Sequence, residues 1–456
     1  MDGATNSNTQ TPFLVATIAV IVVVLFKWLY PKRKPSRPHW EKPIPPGSFG
    51  LPIFGELLGW IRALEGGAGY KWIEERVGWY GPVFKTSFMG TKMVFVTGQV
   101  SNKFVFTSPD DMLQSHQPVP IVHMTGEQSI FEVHGGRHKL VRGAILGFVR
   151  GEGLNRIVPL MSSLVKKYLM KEVEGKESVL GVILMKKIAL KVTCAVLFSL
   201  KNEEEIEALF DDFLLVLKGA WTLPIYLPFT TYYRAIAARR RVYDRFCVII
   251  DRKRRQLEDG SLSPHDDLIA TMLSLRDEEG RAIPTREIVD NLITIVIASH
   301  GSSVSLNASF VRHLAMDKVT LERICEEHTK IIDETKDETL TWSDIQKMKY
   351  TWKVQWVTLT HMDETAFPEP EKFDPSRFEG ASKSFPPYMY VPFGGGQRVC
   401  PGNDYARVSL SLIVHHLVTN FRWSMLIPNE PIVRIPFADP AMNLPIKIYR
   451  RGKEEA

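Results

Sequence analysis

Hydrophobic and polar positions along this chain alternate mostly with a helical period. Apolar residues recur every three to four positions in several long segments, namely 70–77, 179–200, 204–218, 234–258, 265–276 and 317–333. This spacing places the apolar side chains on one face and predicts amphipathic helices. Residues 83–86 and 93–97 read instead as two short strands of a hairpin around Gly90. We therefore expect a mainly α fold with small β-sheets (α+β).

A long apolar segment follows Pro284, with Thr285 as the expected N-cap and Glu287 in the first turn. It is apolar nearly all round, which predicts a buried central helix. The segment ends in Ala-Ser-His-Gly-Ser-Ser at residues 298–303. A mid-helix glycine costs about 1 kcal/mol relative to alanine and favours a kink. Polar side chains beside such a kink indicate a binding site for a small polar ligand.

The N-terminal part of the chain reads as a membrane anchor. Residues 12–29 are apolar except for Lys27, and this length suffices to cross a bilayer once as a helix. Basic residues begin at Lys32, which predicts a cytosolic remainder. A cleaved signal peptide is the competing interpretation, but the charge order is the reverse of the usual one. We expect an anchor over 1–30, a proline-rich hinge over 31–55 and a catalytic domain over 56–456.

Composition narrows the class of protein. The chain has 456 residues, of which 45% are hydrophobic and 24% charged, as in ordinary globular proteins. Its four cysteines are widely spaced, which fits a reducing compartment better than a disulfide framework. The net charge of +6 is mild, and no basic stripe with interleaved aromatic residues stands out. We therefore expect no nucleic-acid partner; an anionic membrane surface or an acidic protein fits better.

The most informative motif is Val-Pro-Phe-Gly-Gly-Gly-Gln-Arg-Val-Cys-Pro-Gly at residues 391–402. Its glycines would let the backbone approach a large flat ligand closely. Arg398 offers a fork of donors to a carboxylate, and the helix start after Gly402 favours a negative charge such as the thiolate of Cys400. An isolated cysteine is usually a small buried hydrophobe, but this fixed register favours a thiolate beneath a haem.

This motif resembles the haem-binding loop of the cytochrome P450 family, Phe-Gly-Gly-Gly-x-Arg-x-Cys-Pro-Gly, at every fixed position. The resemblance implies a P450-like haem-thiolate fold that binds haem b. It makes Cys400 the iron ligand, and the implied cofactor-binding residues of the loop are Phe393, Gly394, Arg398, Cys400 and Gly402.

Two further cofactor-binding residues are expected on a predicted helix that starts near Gly136. His138 and Arg142 are four residues apart and therefore share one helix face. A solvated basic face is the alternative interpretation. The pair is similar to the Trp-x-x-x-Arg of microsomal P450 relatives, with histidine in place of tryptophan, and the resemblance implies contact with a second propionate.

Residues 298–303 resemble the oxygen-binding helix of the family. Ser302 stands where threonine is usual and Gly301 where an acid is usual. A serine hydroxyl remains a hydrogen-bond donor, so the resemblance implies a catalytic Ser302. Because the acid is missing, His300 is a candidate proton relay; a simply hydrogen-bonded core histidine is the alternative.

The chain departs from the family pattern near residues 354–355. Residues 342–354 resemble the start of a helix that should continue into Glu-x-x-Arg, but Val354 runs directly into Gln355. Downstream, Arg377 matches the arginine that should meet that ion pair. We interpret this as an internal deletion of a few dozen residues, which leaves Arg377 without its partners. Removing one side of a buried ion pair costs roughly 3–5 kcal/mol.

The narrower likeness, carried by residues 344–350 and 373–380, is to plant microsomal P450s of the clan that oxidises triterpenoids and brassinosteroids. It implies a monooxygenase that hydroxylates an apolar isoprenoid-type substrate with O₂, with electrons from NADPH through cytochrome P450 reductase. It also implies a single-pass location in the endoplasmic reticulum membrane, in contact with lipid. A catalytically impaired truncated homologue and a haem-thiolate isomerase or dehydratase are the alternatives.

Pocket residues are expected in four places: 108–136, the central helix, 440–443 and the apolar loop 223–229. This loop is either a channel lip, a membrane contact or a plain buried loop.

Overall fold

A computed structural model describes residues 44–52, 54–65, 69–88, 91–335, 339–358, 364, 367–370, 372–378, 385–434 and 437–452. The expected anchor and most of the expected hinge lie outside the described residues. The chain divides into a short unit, Met1–Pro46, and a large one, Gly47–Ala456. All that follows concerns the large unit.

The described part of the chain is mainly helical, as the spacing of apolar positions predicts. Its α-helices are α1 (Leu57–Glu65), α2 (Gly69–Tyr80), α3 (Gly98–Thr107), α4 (Val119–Thr125), α5 (Gly135–Val149), α6 (Gly151–Val173), α7 (Gly181–Phe198), α8 (Glu203–Ala220), α9 (Thr231–Glu258), α10 (Leu268–Ser274), α11 (Thr285–Met316), α12 (Lys318–Glu334), α13 (Trp342–Lys347), α14 (Lys349–Thr358) and α15 (Asn403–Asn420). Short 3₁₀ turns occupy Pro375–Phe378 and Gly396–Arg398.

The β structure is confined, within the described residues, to small antiparallel sheets. The strands are β1 (Val83–Phe88), β2 (Thr91–Val96), β3 (Ser178–Leu180), β4 (Phe421–Met425), β5 (Ile432–Arg434), β6 (Ala438–Pro440) and β7 (Pro445–Arg450). The expected hairpin is confirmed, because β1 pairs with β2. Strand β7 joins β3 to β4, and β5 pairs with β6.

The central helix α11 runs through the core, where it contacts α7, α15 and strand β6. Within the described residues it is the helix long and apolar enough to span a membrane, yet most of it is buried in the protein. The predicted N-cap is wrong by one residue. Pro284 takes the cap position, and Thr285 begins the helix, where its hydroxyl accepts a hydrogen bond from Arg254 at 3.0 Å.

The junction at residues 354–355 lies inside a continuous helix, α14. Val354 is fully buried, and Gln355 donates to Ser411 Oγ of α15 at 2.9 Å. Trp352 donates to the same oxygen at 3.2 Å. The residues on both sides of the expected deletion therefore pack against α15, the helix that follows the cysteine loop.

The apolar loop between α8 and α9 is exposed, so the buried-loop alternative is wrong. Phe229 is 94% exposed, and its neighbours Tyr226 and Leu227 are also largely exposed. At the start of this segment, Trp221 contacts the Phe437 ring edge to face, with the ring centroids 5.9 Å apart. The exposed loop thus touches the segment that precedes β6.

Candidate functional site

The cysteine loop is a backbone turn that presents one sulfur atom. The N–H of Cys400 donates to the Phe393 carbonyl at 2.9 Å, which closes the turn, and Gly394 and Gly396 adopt positive φ. The Cys400 side chain is exposed, although protein surrounds it on most sides. Burial raises the pKa of its thiol, whereas the Gly402 N–H and the charge of Arg142 act to lower it. The last two interactions favour the thiolate form.

The three glycines of this loop do not share one role. A Cβ on Gly395 or Gly396 would overlap Phe106 of α3, so these two glycines allow that helix to approach the loop. A Cβ on Gly394 would meet nothing closer than Phe106 Cε1 at 4.0 Å. The expectation that all three allow close approach of a flat ligand is therefore wrong for Gly395 and Gly396. Gly394 keeps open space beside it.

A basic cluster lies beside the loop. Arg142 Nη2 donates to the Val399 carbonyl at 2.6 Å, and Arg398 donates to the carbonyls of Ile130 and Val133 at 3.3 and 3.0 Å. Burial and the charges of both arginines lower the pKa of the buried His138 to about 4. In the described part of the chain both arginines donate to backbone carbonyls and neither pairs with a carboxylate, and the buried Nε of Arg398 has no hydrogen-bond partner. The cluster therefore has the charge and a free donor for an anionic ligand.

The two candidate catalytic residues of α11 face different surroundings. Ser302 is exposed, and its hydroxyl donates to the Ala298 carbonyl at 2.9 Å. His300 is buried against Phe210 of α8, and neither ring nitrogen has a hydrogen-bond partner. Burial and nearby Lys186 lower its pKa to about 3. Residues two apart on a helix point roughly 200° apart, so the helix does not bring these two side chains together.

Sequence reasoning missed two residues that contact α11. The ring of Phe437 lies directly over Gly301, where a Cβ would overlap it. Asp439 accepts a hydrogen bond from Ser305, one turn further along the helix. Phe437 immediately precedes β6, and Asp439 lies two residues further on, within the strand. That spacing was the available signal, but it identified no partner helix.

Among the described residues no carboxylate lies within ion-pair distance of Arg377, although Asp374 interacts with it electrostatically. Arg377 donates to the carbonyls of Pro368 at 2.5 Å, Glu369 at 2.6 Å and Lys372 at 3.4 Å. Its buried Nε has no hydrogen-bond partner. Backbone oxygens thus satisfy part of the guanidinium, and no close ion pair balances its charge within the described residues.

Comparison with known proteins identifies the family. Residues 45–359 and 354–437 match the family model described as Cytochrome P450, and the break between the two stretches falls at the expected deletion. Taxane 13-alpha-hydroxylase of Taxus cuspidata is 29% identical over 99% of this chain and its own whole length. That alignment spans 493 positions against 456 residues here, so a few dozen positions face gaps in this chain.

Two further comparisons agree. Beta-amyrin 28-monooxygenase of Kalopanax septemlobus is 31% identical over 96% of this chain and 98% of its own length. The solved structure of retinoic acid bound cyanobacterial CYP120A1 matches with a TM-score of 0.80 and 26% identity, over 90% of this chain and all of that one. This chain, with its cysteine loop and its mainly helical fold, therefore belongs to the cytochrome P450 family and is an enzyme related to plant terpenoid monooxygenases.

Proposed function

We propose that this chain is a haem-thiolate monooxygenase that hydroxylates a bulky apolar isoprenoid substrate, of triterpenoid or steroid-like type. The observation that carries the proposal is the Cys400 sulfur, presented beside a basic cluster without an acidic partner. The activities for which these relatives are named, on taxanes and beta-amyrin, support an isoprenoid substrate.

The residues present fit a haem on three counts. Cys400 would ligate the iron, with the Gly402 N–H and Arg142 stabilising its thiolate charge. His138, Arg142 and Arg398 would hold the propionates, since the buried Nε atom of Arg398 has no hydrogen-bond partner and provides a free donor. Gly394 has no neighbour in contact with its missing Cβ, which leaves room for a flat ring.

The haem would supply activation of O₂ for insertion of one oxygen atom into a C–H bond. The chain's own residues would orient the substrate and control protons and water. Ser302 exposes a hydroxyl that donates to Ala298 and remains able to accept a further hydrogen bond. The largely apolar α11 would exclude bulk water from that side of the site.

The same proposal includes the partners and the location. Electrons would come from NADPH through cytochrome P450 reductase. The apolar segment 12–29 would anchor the chain in the endoplasmic reticulum membrane, with the catalytic domain in the cytosol. The exposed loop at Tyr226, Leu227 and Phe229 is apolar enough to lie at the lipid surface or at the lip of a channel.

The deciding experiment is the carbon monoxide difference spectrum of the reduced full chain in microsomes, beside the Cys400→Ser variant. A red-shifted, thiolate-type Soret band that disappears in the variant is expected. Incubation with beta-amyrin, NADPH and reductase is then expected to give a hydroxylated product. Absence of the band in the unmodified chain would overturn the proposal, and product formation without reductase would favour an isomerase or dehydratase.

A catalytically impaired homologue is the second candidate, and Arg377 favours it. Its buried guanidinium has no carboxylate within ion-pair distance among the described residues, and loss of a buried ion-pair partner typically destabilises a fold by roughly 3–5 kcal/mol. In this case the same spectrum would show no haem band, or only the band of a haem that has lost its thiolate ligand.

A further inference from the structure

The contact between Gly301 and Phe437 explains why α11 carries no side chain at that position. Gly301 is buried, and the atoms that a Cβ would overlap belong to the Phe437 ring. A residue with a side chain at 301 requires this ring to move. The aromatic ring and a carboxylate at position 301 therefore exclude each other in this packing.

A carboxylate nevertheless reaches this part of the helix from strand β6. Asp439 accepts a hydrogen bond from the hydroxyl of Ser305. Ser305 is buried and lies four residues after Gly301, and its Oγ is also 3.2 Å from the Gly301 carbonyl. Phe437, immediately before β6, and Asp439, within it, thus both contact one turn of α11.

Asp439 also interacts with a basic group from a neighbouring helix. Lys186 of α7 interacts electrostatically with Asp439 and, in turn, with His300 of α11. Lys218 of α8 is a further cation near Lys186. Burial lowers the pKa of Lys186, and Asp439 acts in the opposite direction. The carboxylate therefore balances a partly buried positive charge beside the central helix.

We infer that Asp439 is a positioning residue that supplies, from strand β6, the carboxylate absent at position 301. It acts through Ser305 on the turn 301–305, which includes Ser302, while Phe437 fills the space of the missing side chain. The functional part of this inference rests on the proposed monooxygenase activity. The structural part, a tether between β6 and α11, does not.

The tether is tested by a double-mutant cycle on thermal unfolding of the purified full chain. Asp439→Ala and Ser305→Ala should each lower Tm. The Tm of the double variant should fall by no more than the larger of the two decreases seen in the single variants. The Tm of Asp439→Asn should stay close to that of the unmodified chain, because the amide oxygen still accepts the hydrogen bond from Ser305. Additive losses would overturn the tether whether or not the chain has monooxygenase activity.

The role of the charge is tested with beta-amyrin, NADPH and reductase, on variants that keep the thiolate-type carbon monoxide band. Asp439→Asn should lower product formed per NADPH roughly tenfold, because it keeps the hydrogen bond to Ser305 but removes the negative charge that interacts with Lys186 beside this turn. The matched control is Asp251→Asn, an exposed aspartate on α9, which should change nothing. An unchanged product ratio in Asp439→Asn would overturn the inference, whereas no product from the unmodified chain would overturn the proposed function instead.

A rescue separates a positional carboxylate from general damage. Gly301→Asp alone should lower Tm, because the new side chain overlaps the Phe437 ring. The double variant Phe437→Ala/Asp439→Asn should form less product per NADPH than the unmodified chain. The triple variant Gly301→Asp/Phe437→Ala/Asp439→Asn should recover much of that loss. Equal ratios in those two variants would contradict the role assigned to Asp439.

Discussion

Arg142 Nη2 lies 2.6 Å from the carbonyl oxygen of Val399, the residue immediately before Cys400. This hydrogen bond joins α5 to the cysteine loop. Burial raises the pKa of the Cys400 thiol, and the charge of the same guanidinium acts in the opposite direction. One side chain therefore positions the loop and stabilises the thiolate.

Arg142→Ala should reduce the haem content of the purified chain more strongly than Arg142→Lys. The alanine variant loses both the hydrogen bond and the charge, whereas lysine keeps the charge but not the planar fork. The measurement is the ratio of the thiolate-type carbon monoxide band to total protein. Lys139→Ala, which removes an exposed charge from the same helix, should leave the ratio unchanged. Equal ratios for Arg142→Ala and the unmodified chain would count against the role of Arg142.

Ser302→Ala should preserve the carbon monoxide band and lower the product formed per NADPH by roughly tenfold or more. The substitution removes the exposed hydroxyl of α11 but no buried contact, so Tm should change little. Ser302→Thr keeps a hydroxyl and should retain most of the product. If Ser302→Ala and Ser302→Thr behave alike, the hydroxyl has no part in the reaction.

A buried histidine cluster should make the chain sensitive to acid. His328 Nδ1 lies 2.9 Å from His415 Nδ1, and His416 Nε2 lies 3.0 Å from Ser162 Oγ. Burial lowers the pKa of His415 to about 4 and of His416 to about 3, and that of His328 well below its ordinary value. These groups are neutral in the folded chain at neutral pH.

The sign of the effect follows from proton binding by the unfolded chain. Because the folded pKa values lie below the unfolded value, the unfolded chain binds more protons as pH falls below about 6.5. The contribution of these neutral histidines to stability is fully present above that pH and is lost as the pH falls below it. Each histidine should lower the free energy of unfolding by about 1.4 kcal/mol between about pH 7.5 and about pH 5.5.

Urea unfolding at the two pH values measures this loss. His416→Asn removes one of the titrating groups and should make the pH dependence of the free energy of unfolding shallower. The variant should also be less stable than the unmodified chain at neutral pH. The same difference between the two pH values in both chains would show that His416 does not titrate as inferred.

Insertion of the family's missing segment between Val354 and Gln355 should stabilise the chain. The graft from beta-amyrin 28-monooxygenase would give Arg377 the carboxylate partner that it lacks. The free energy of unfolding should rise by up to roughly 3–5 kcal/mol, and the haem content should rise with it. The control is a graft in which the glutamate of Glu-x-x-Arg is changed to glutamine. In this control the free energy of unfolding and the haem content should rise less. Equal gains from both grafts would mean that the ion pair is not the source of the stability.

The sequence by itself determined the local features of this protein. Helical periodicity predicted the helices, including the central one, because it reflects the side-chain geometry of a single element. The register of residues 391–402 identified the cysteine loop, because a turn with two residues at positive φ requires glycine at fixed positions. The interruption at Val354 was likewise visible from the order of residues alone.

Only the tertiary structure decided which neighbour each side chain meets. Gly395 and Gly396 face Phe106, Gly301 faces Phe437, and Asp439 reaches Ser305 across more than a hundred residues of sequence. No local pattern contains these contacts, because they depend on how separately formed helices and strands pack together. The environment of a charge, and hence its pKa, depends on the same packing.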